Sequence, residues 1–304
     1  TKGENVFTIT RTYDGLNRVT SYEDGKGKRI GYVYDKVGNL TDVIYPNGKK
    51  VTYAYDKNGS IKKLTDWDER ITTYDYDVNG RLVKTTRPNG TVETRAYDKM
   101  GRLTLILDKA GGTEVNHQEY CYDAAGNITE TKSLGNKTLE HSDVSDVKMT
   151  YDKNNRLITY NGKDVEYDKD GNMVYGPLQG KMVSFLYDCR NRLIQAGDTT
   201  YEYDAEDNRI AEINGNSRIE YVINTQPELS QILQSISIVG NRKEETYYYY
   251  GNGLTAQDNG TDYLTYHFNN VGSTMAVTDE KGNIAGTYEY SPYGQILHKE
   301  GTAN

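Results

Sequence analysis

The sequence predicts an all-β protein: repeated antiparallel β-hairpins forming a curved or spiralling sheet. Three observations lead there. The 304 residues hold 29 Tyr against 3 Phe and 1 Trp, so nearly all the aromatic content carries a hydroxyl. Without those tyrosines, the 35% hydrophobic fraction falls to about a quarter of the chain. A compact globule of this length buries a thick aliphatic core, which this composition cannot fill; a sheet one layer thick in many places, faced with Tyr, is expected instead. Disorder is excluded by the same aromatic content. The third observation is a period. Tyr-Asp recurs at Tyr13-Asp14, Tyr34-Asp35, Tyr55-Asp56, Tyr76-Asp77 and Tyr97-Asp98, 21 residues apart each time. It continues less regularly at Tyr122-Asp123, Tyr151-Asp152, Tyr167-Asp168, Tyr187-Asp188 and Tyr203-Asp204.

Each unit reads as one hairpin. A second aromatic often stands two residues before the Tyr (Tyr32, Tyr53, Tyr74, Tyr120, Phe185, Tyr201), and period two places both rings on one strand face. The Tyr ends the incoming strand, and the Asp opens a type I turn by accepting from backbone amides two residues on. Four positions beyond the Tyr come Asn17, Gly38, Gly59, Gly80, Gly101, Gly126, Asn155, Gly171, Asn191 and Asp207. These are residue types that tolerate positive φ, as a three-residue hairpin with a bulge requires. Six positions beyond the Tyr, an aliphatic residue such as Leu40, Ile61, Leu82 or Leu103 starts the return strand; the tenth unit is shifted by one, to Ile210. A second turn is expected eleven residues past the Tyr, at Asp24-Gly25, Tyr45-Pro46-Asn47-Gly48, Asp66, Arg87-Pro88-Asn89-Gly90 and Asp108. One hairpin cannot stand alone in water, so neighbours must stack into a long twisted sheet. Helix is confined to one candidate, Pro227 to Val239, where Leu229, Ile232, Leu233 and Ile236 have helical spacing. The alternation of Ile236 and Ile238 favours a strand there.

The motif Tyr76-Asp77-Val78-Asn79-Gly80-Arg81-Leu82, repeated as Tyr97-Asp98-Lys99-Met100-Gly101-Arg102-Leu103, resembles the YD repeat of the Rhs family. That family includes bacterial Rhs polymorphic toxins, C subunits of Tc insecticidal toxins, wall-associated proteins and animal teneurins. The repeats fill residues 13 to about 223, giving an expected array over 1–223. Residues 224–304 then resemble the start of the Rhs-associated core, through Tyr249-Tyr250-Gly251-Asn252-Gly253-Leu254, Tyr266-His267-Phe268-Asn269-Asn270-Val271-Gly272-Ser273 and Tyr288-Glu289-Tyr290-Ser291-Pro292-Tyr293-Gly294. Asn269 and Ser291 depart from the Asp usual in the family. The sequence begins at Thr1 without a signal peptide and ends at Asn304, before the family's plug, self-cleavage site and variable toxin. A processed product or fragment of something longer is therefore expected.

The resemblance implies a segment of β-shell, continuous with the rest of a large secreted or cell-surface bacterial protein. Its partners would be a C-terminal toxin or effector cargo, or the remaining shell segments. Nothing supports an enzyme, a cofactor or a metal. Asp75-Tyr76-Asp77-Val78-Asn79-Gly80 opens like a calcium loop, but Thr86 stands where the twelfth-position Glu is needed. Asp168-Lys169-Asp170-Gly171-Asn172 is the same turn pattern. His117, His141, His267 and His298 are scattered without zinc spacing, and Gly272-Ser273-Thr274 is no nucleophile elbow. Cys121 and Cys189 give no disulfide framework. Net charge −8 excludes a nucleic-acid binder, and no apolar run would span a membrane. Two further partners follow from the pattern itself: surface glycans stacked on the tyrosine ladder, and a second copy paired at an exposed edge strand.

Overall fold

The computed structural model describes residues 8–133, 147–290, 294 and 296–301. His141, Ser291 and both chain ends lie outside these. The described residues form 29 strands and no helix. Twelve strands follow one another in a first sheet, each beside its sequence neighbours. They are β1 (Thr10–Tyr13), β2 (Val19–Glu23), β3 (Arg29–Tyr34), β4 (Leu40–Ile44), β5 (Lys50–Tyr55) and β6 (Ile61–Thr65). Then come β7 (Ile71–Tyr76), β8 (Leu82–Thr86), β9 (Thr91–Tyr97), β10 (Leu103–Ala110), β11 (Thr113–Tyr122) and β12 (Ile128–Ser133). A three-stranded sheet holds β13 (Met149–Tyr151), β14 (Leu157–Tyr160) and β15 (Lys163–Asp164).

A fourteen-stranded sheet completes the chain, again in sequence order. Its strands are β16 (Glu166–Tyr167), β17 (Met173–Leu178), β18 (Lys181–Tyr187), β19 (Leu193–Ala196) and β20 (Thr199–Tyr203). β21 (Arg209–Asn214), β22 (Ser217–Asn224), β23 (Gln231–Val239), β24 (Arg242–Gly251) and β25 (Gly253–Asp258) follow. The last are β26 (Tyr263–Phe268), β27 (Thr274–Thr278), β28 (Ile284–Tyr290) and β29 (Ile296–Gly301). Registers are antiparallel, as in Tyr32↔Val43 and Tyr74↔Thr85, and the strand pairs closed by a Tyr-Asp turn slip by a bulge at that Tyr, as between Val33 and Tyr34. The ambiguous segment after Pro227 is strand from Gln231, with Leu233 and Ile236 buried.

Contacts divide the chain into two compact units. One comprises Thr1–Ile9, Asp24–Lys26 and Thr138–Glu245; the second comprises Thr10–Glu23, Gly27–Lys137 and Thr246–Asn304. The second unit is thicker than the composition led us to expect. There β24 to β27 lie on one face of the twelve-stranded sheet, so that Val43, Tyr45, Val51, Leu64, Tyr74 and Ile106 are buried. The reason is chemical. Tyrosine hydroxyls, amides and one ionic group bond backbone and side-chain partners across the layer, so a two-layer core forms with only a sparse aliphatic filling.

Asp108 corrects the turn reading. It lies inside β10 rather than at a turn, and is fully buried. The turn comes later, at Gly111 (φ 57) and Gly112 (φ 110) between the paired residues Ala110 and Thr113. Two glycines at positive φ make a two-residue hairpin loop, which lengthens β10 and β11 and carries Asp108 into the ladder.

Candidate functional site

Two constellations organise the molecule, and the first repeats along it. Each repeat Asp accepts from the amides two and four residues on, as Asp77 Oδ1 does from Asn79 N (2.9 Å) and Arg81 N (3.0 Å). Asp14, Asp35, Asp56, Asp98, Asp152, Asp168, Asp188 and Asp204 accept the same pair. Asp123 accepts from Asn127 N at 2.8 Å and from the Ala125 amide. The left-handed position follows: Gly38, Gly59, Gly80, Gly101, Gly126 and Gly171, with Asn17, Asn155, Asn191 and Asp207, all have positive φ. The second carboxylate oxygen takes the residue five past the Tyr. That is an Arg Nε from Arg18, Arg81, Arg102, Arg156 or Arg192, or an Asn Nδ2 from Asn39, Asn127, Asn172 or Asn208. The side-chain bond from Arg192 holds Asp188 down to about 2.

These turns are stapled to their neighbours. Tyr34, Tyr55, Tyr76, Tyr97 and Tyr122 donate their hydroxyls to the carbonyls of Val19, Leu40, Ile61, Leu82 and Leu103 in the preceding repeat. Tyr167 and Tyr203 do the same to Leu157 and Leu193. The guanidinium of one repeat covers the ring of the next: Arg18 over Tyr34, Arg81 over Tyr97, Arg102 over Tyr122, Arg156 over Tyr167 and Arg192 over Tyr203, at 4.6–5.0 Å. Tyr13 and Tyr151 are exposed instead, and Tyr151 donates to Met149 Sδ. Tyr187 ends β18 half-buried. The five-past position was the missed signal, since nine of the ten residues there are Arg or Asn and the tenth is Ser60.

The second constellation seals the second unit. Tyr45 and Tyr53 donate to the carbonyls of Tyr248 (2.6 Å) and Tyr250 (2.9 Å) on β24, and the Tyr120 hydroxyl accepts from Asn270 N. Trp67, the single tryptophan, meets Tyr45, Tyr247 and Tyr249 edge-on at 4.9–5.3 Å. Beside it Arg70 joins Asp66 to Asp258 and lies over Tyr263.

Deeper is an ionic node. Arg87 donates to Asp108 Oδ1 (2.8 Å) and Glu93 Oε2 (2.6 Å), and Arg95 donates to the other oxygen of Glu93. Asp108 also accepts from Asn116 Nδ2 (2.9 Å) and His267 Nδ1 (2.8 Å); His267 Nε2 lies 2.9 Å from Thr278 Oγ1. Asn89 Nδ2 donates to that same hydroxyl and to the Asp279 carbonyl. Asp108 can only accept, so His267 carries its proton on Nδ1 and accepts the Thr278 hydroxyl on Nε2. Burial raises the Asp108 carboxyl, but Arg87, His267 and Asn116 outweigh it and hold it at about 2. Burial pushes His267 below its ordinary value.

Asp108, His267 and Thr278 thus stand in the order of a catalytic triad. All three are 0% exposed, leaving no room for a substrate at the hydroxyl, so the arrangement fastens β26 and β27 to β8–β11. Among the described residues, no three His, Cys, Asp or Glu side chains are grouped to hold a metal. Cys121 and Cys189 are free and exposed.

A repeated, stapled hairpin sheet with a terminal segment laid on it can be compared with known families. The family description Teneurin YD-shell matches residues 1–65 and 76–303, and RHS Repeat matches residues 55–92. The chain belongs to the YD-shell family. No curated protein matches it. Among solved structures it is similar to TcdB2–TccC3 without the hypervariable C-terminal region, at TM-score 0.67 and 14% identity, covering 96% of this chain and 20% of that one. The TcdB2–TccC3 structure itself gives TM-score 0.62 at 15% identity over 95% of this chain and 21% of that one. The Photorhabdus luminescens Tc holotoxin pore gives 0.51 at 14% identity over 90% and 18%. At these identities the likeness shows the fold. The YD-shell chain spans about a fifth of the length of the solved chains it matches.

Proposed function

We propose that this YD-shell chain is a non-enzymatic wall segment of a large secreted or surface bacterial protein, and that the wall encloses a C-terminal toxin or effector. The observation that carries the reading is the stapling. Every described repeat turn spends its Asp on its own hairpin, seven of the ten donate their Tyr to the preceding repeat, and five lay an Arg over the ring of the next, which ties neighbouring hairpins into wall. Residues 1–223 would serve as the array and 224–304 as the start of the terminal segment. The staples also favour packing over glycan binding, because a ring covered by a guanidinium offers less face to a sugar.

The test is limited proteolysis of the full-length product in which this chain occurs. We expect its C-terminal region to survive as long as the repeats do. Rapid digestion of that region while the repeats stay intact would sink the encapsulation reading.

A further inference from the structure

We propose that His267 is an acid-sensitive latch: protonating its ring unfastens β26 and β27 from the twelve-stranded sheet within the second unit. The proton count of the node makes the case. In the neutral state each link from Asp108 through His267 and Thr278 to Asn89 pairs a hydrogen with an acceptor. His267 Nδ1–H goes to Asp108, the Thr278 hydroxyl goes to His267 Nε2, and Asn89 Nδ2–H goes to the Thr278 oxygen. A second proton on the ring turns Nε2 into a donor. Thr278 must then accept twice, and its own buried hydrogen loses its acceptor.

Burial and the nearest cation act in the same direction, against two carboxylates. Facing His267 are Asp108 on β10, Arg87 in the β8–β9 turn and Glu93 on β9, with Arg95 on Glu93; the neutral neighbours are Asn116 on β11 and Thr278 on β27. Arg87 sits on the same Asp108 oxygen as the ring and opposes a charge there, while Glu93 is shared between Arg87 and Arg95, whose side chain is 28% exposed. Burial and Arg87 both lower the His267 pKa from 6.5, against the pull of Asp108 and Glu93. The open form therefore takes up a proton below about pH 6.5 that the closed form refuses. Stability of the seam is complete above that value and falls as pH drops below it. His117 works in the opposite sense: its hydrogen bond to the Glu114 carboxylate raises its pKa, which stabilises at low pH.

The experiment uses the whole chain with His117, His141 and His298 changed to Asn, leaving one imidazole. Hydrogen exchange of peptides covering β26 and β27, and emission of Trp67, are followed from pH 8 to 5. Protection should fall by up to about tenfold per pH unit below 6.5, with a red shift of Trp67. His267→Asn keeps an amide donor for Asp108 and cannot titrate. All other ionisable groups are common to both proteins, so the difference between them belongs to His267. A profile that is flat with His267 present, or the same in His267→Asn, overturns the latch. Should His267→Asn fail to fold, the imidazole C2–H resonance of the single-histidine protein decides. Titration at or above 6.5 with the seam still closed overturns it, and a ring that stays neutral until β26 and β27 open supports it.

Discussion

At Gly80 the backbone has φ 77, and a Cβ built there meets nothing within 4 Å. Any penalty for a side chain is therefore conformational rather than steric. Gly80→Val should cost about 1–2 kcal/mol, the price of a branched residue in the left-handed region. Gly80→Asn should cost less than half of that, because Asn17, Asn155 and Asn191 already occupy the equivalent place. Urea unfolding checks this through a lower midpoint with unchanged slope; equal losses for Val and Asn would contradict it. At this scale the sequence was easy to read. A turn Asp and a left-handed residue are local chemistry, visible because their partners lie within four positions. The Tyr hydroxyl was harder. Its acceptor is a backbone carbonyl of the preceding repeat, as when Tyr97 donates to Leu82, and a carbonyl leaves no mark in a residue pattern.

Strand β10 shows where local reading stops. The interval from Tyr97 places a turn at Asp108, whereas Gly111-Gly112 delays it and the carboxylate goes inward to Arg87 and His267. Nothing near Asp108 in sequence announces a histidine 159 residues away, and His267 looked scattered for the same reason. The node that fastens β26 and β27 was therefore invisible, although each of its residues stands in plain view. Its weight can be measured. Arg87→Met leaves Glu93 and Asp108 without their shared cation in a buried site, which should destabilise by about 3–5 kcal/mol. Adding Glu93→Gln should recover part of that loss, because Asp108 keeps Asn116 and His267 as donors. Denaturant titration of the two variants decides it. No recovery in the double variant would mean that the charges are not what the node balances.

The whole molecule combines two kinds of order with different ranges. Within each sheet, strands pair with their sequence neighbours, so those contacts are local and form early. The seam of the second unit joins residues 150 to 203 positions apart, such as Tyr120 with Asn270, His267 with Asp108, Asn89 with Thr278 and Tyr45 with Tyr248. It must close late, after the loop entropy of most of the chain has been met. Native stability should follow the same division. Strands β13 to β15 contain no buried residue, whereas Thr91, Ile106, Asp108, His267 and Thr278 are fully buried on β9, β10, β26 and β27. Local opening free energy tracks such burial. Hydrogen exchange at neutral pH should therefore be roughly a thousandfold slower in β9–β10 and β26–β27 than in β13–β15. Arg87→Met should lower protection in all four seam strands together while leaving β13–β15 unchanged. Uniform protection along the chain, or a loss confined to β9, would show that the seam does not hold those strands as one cooperative body.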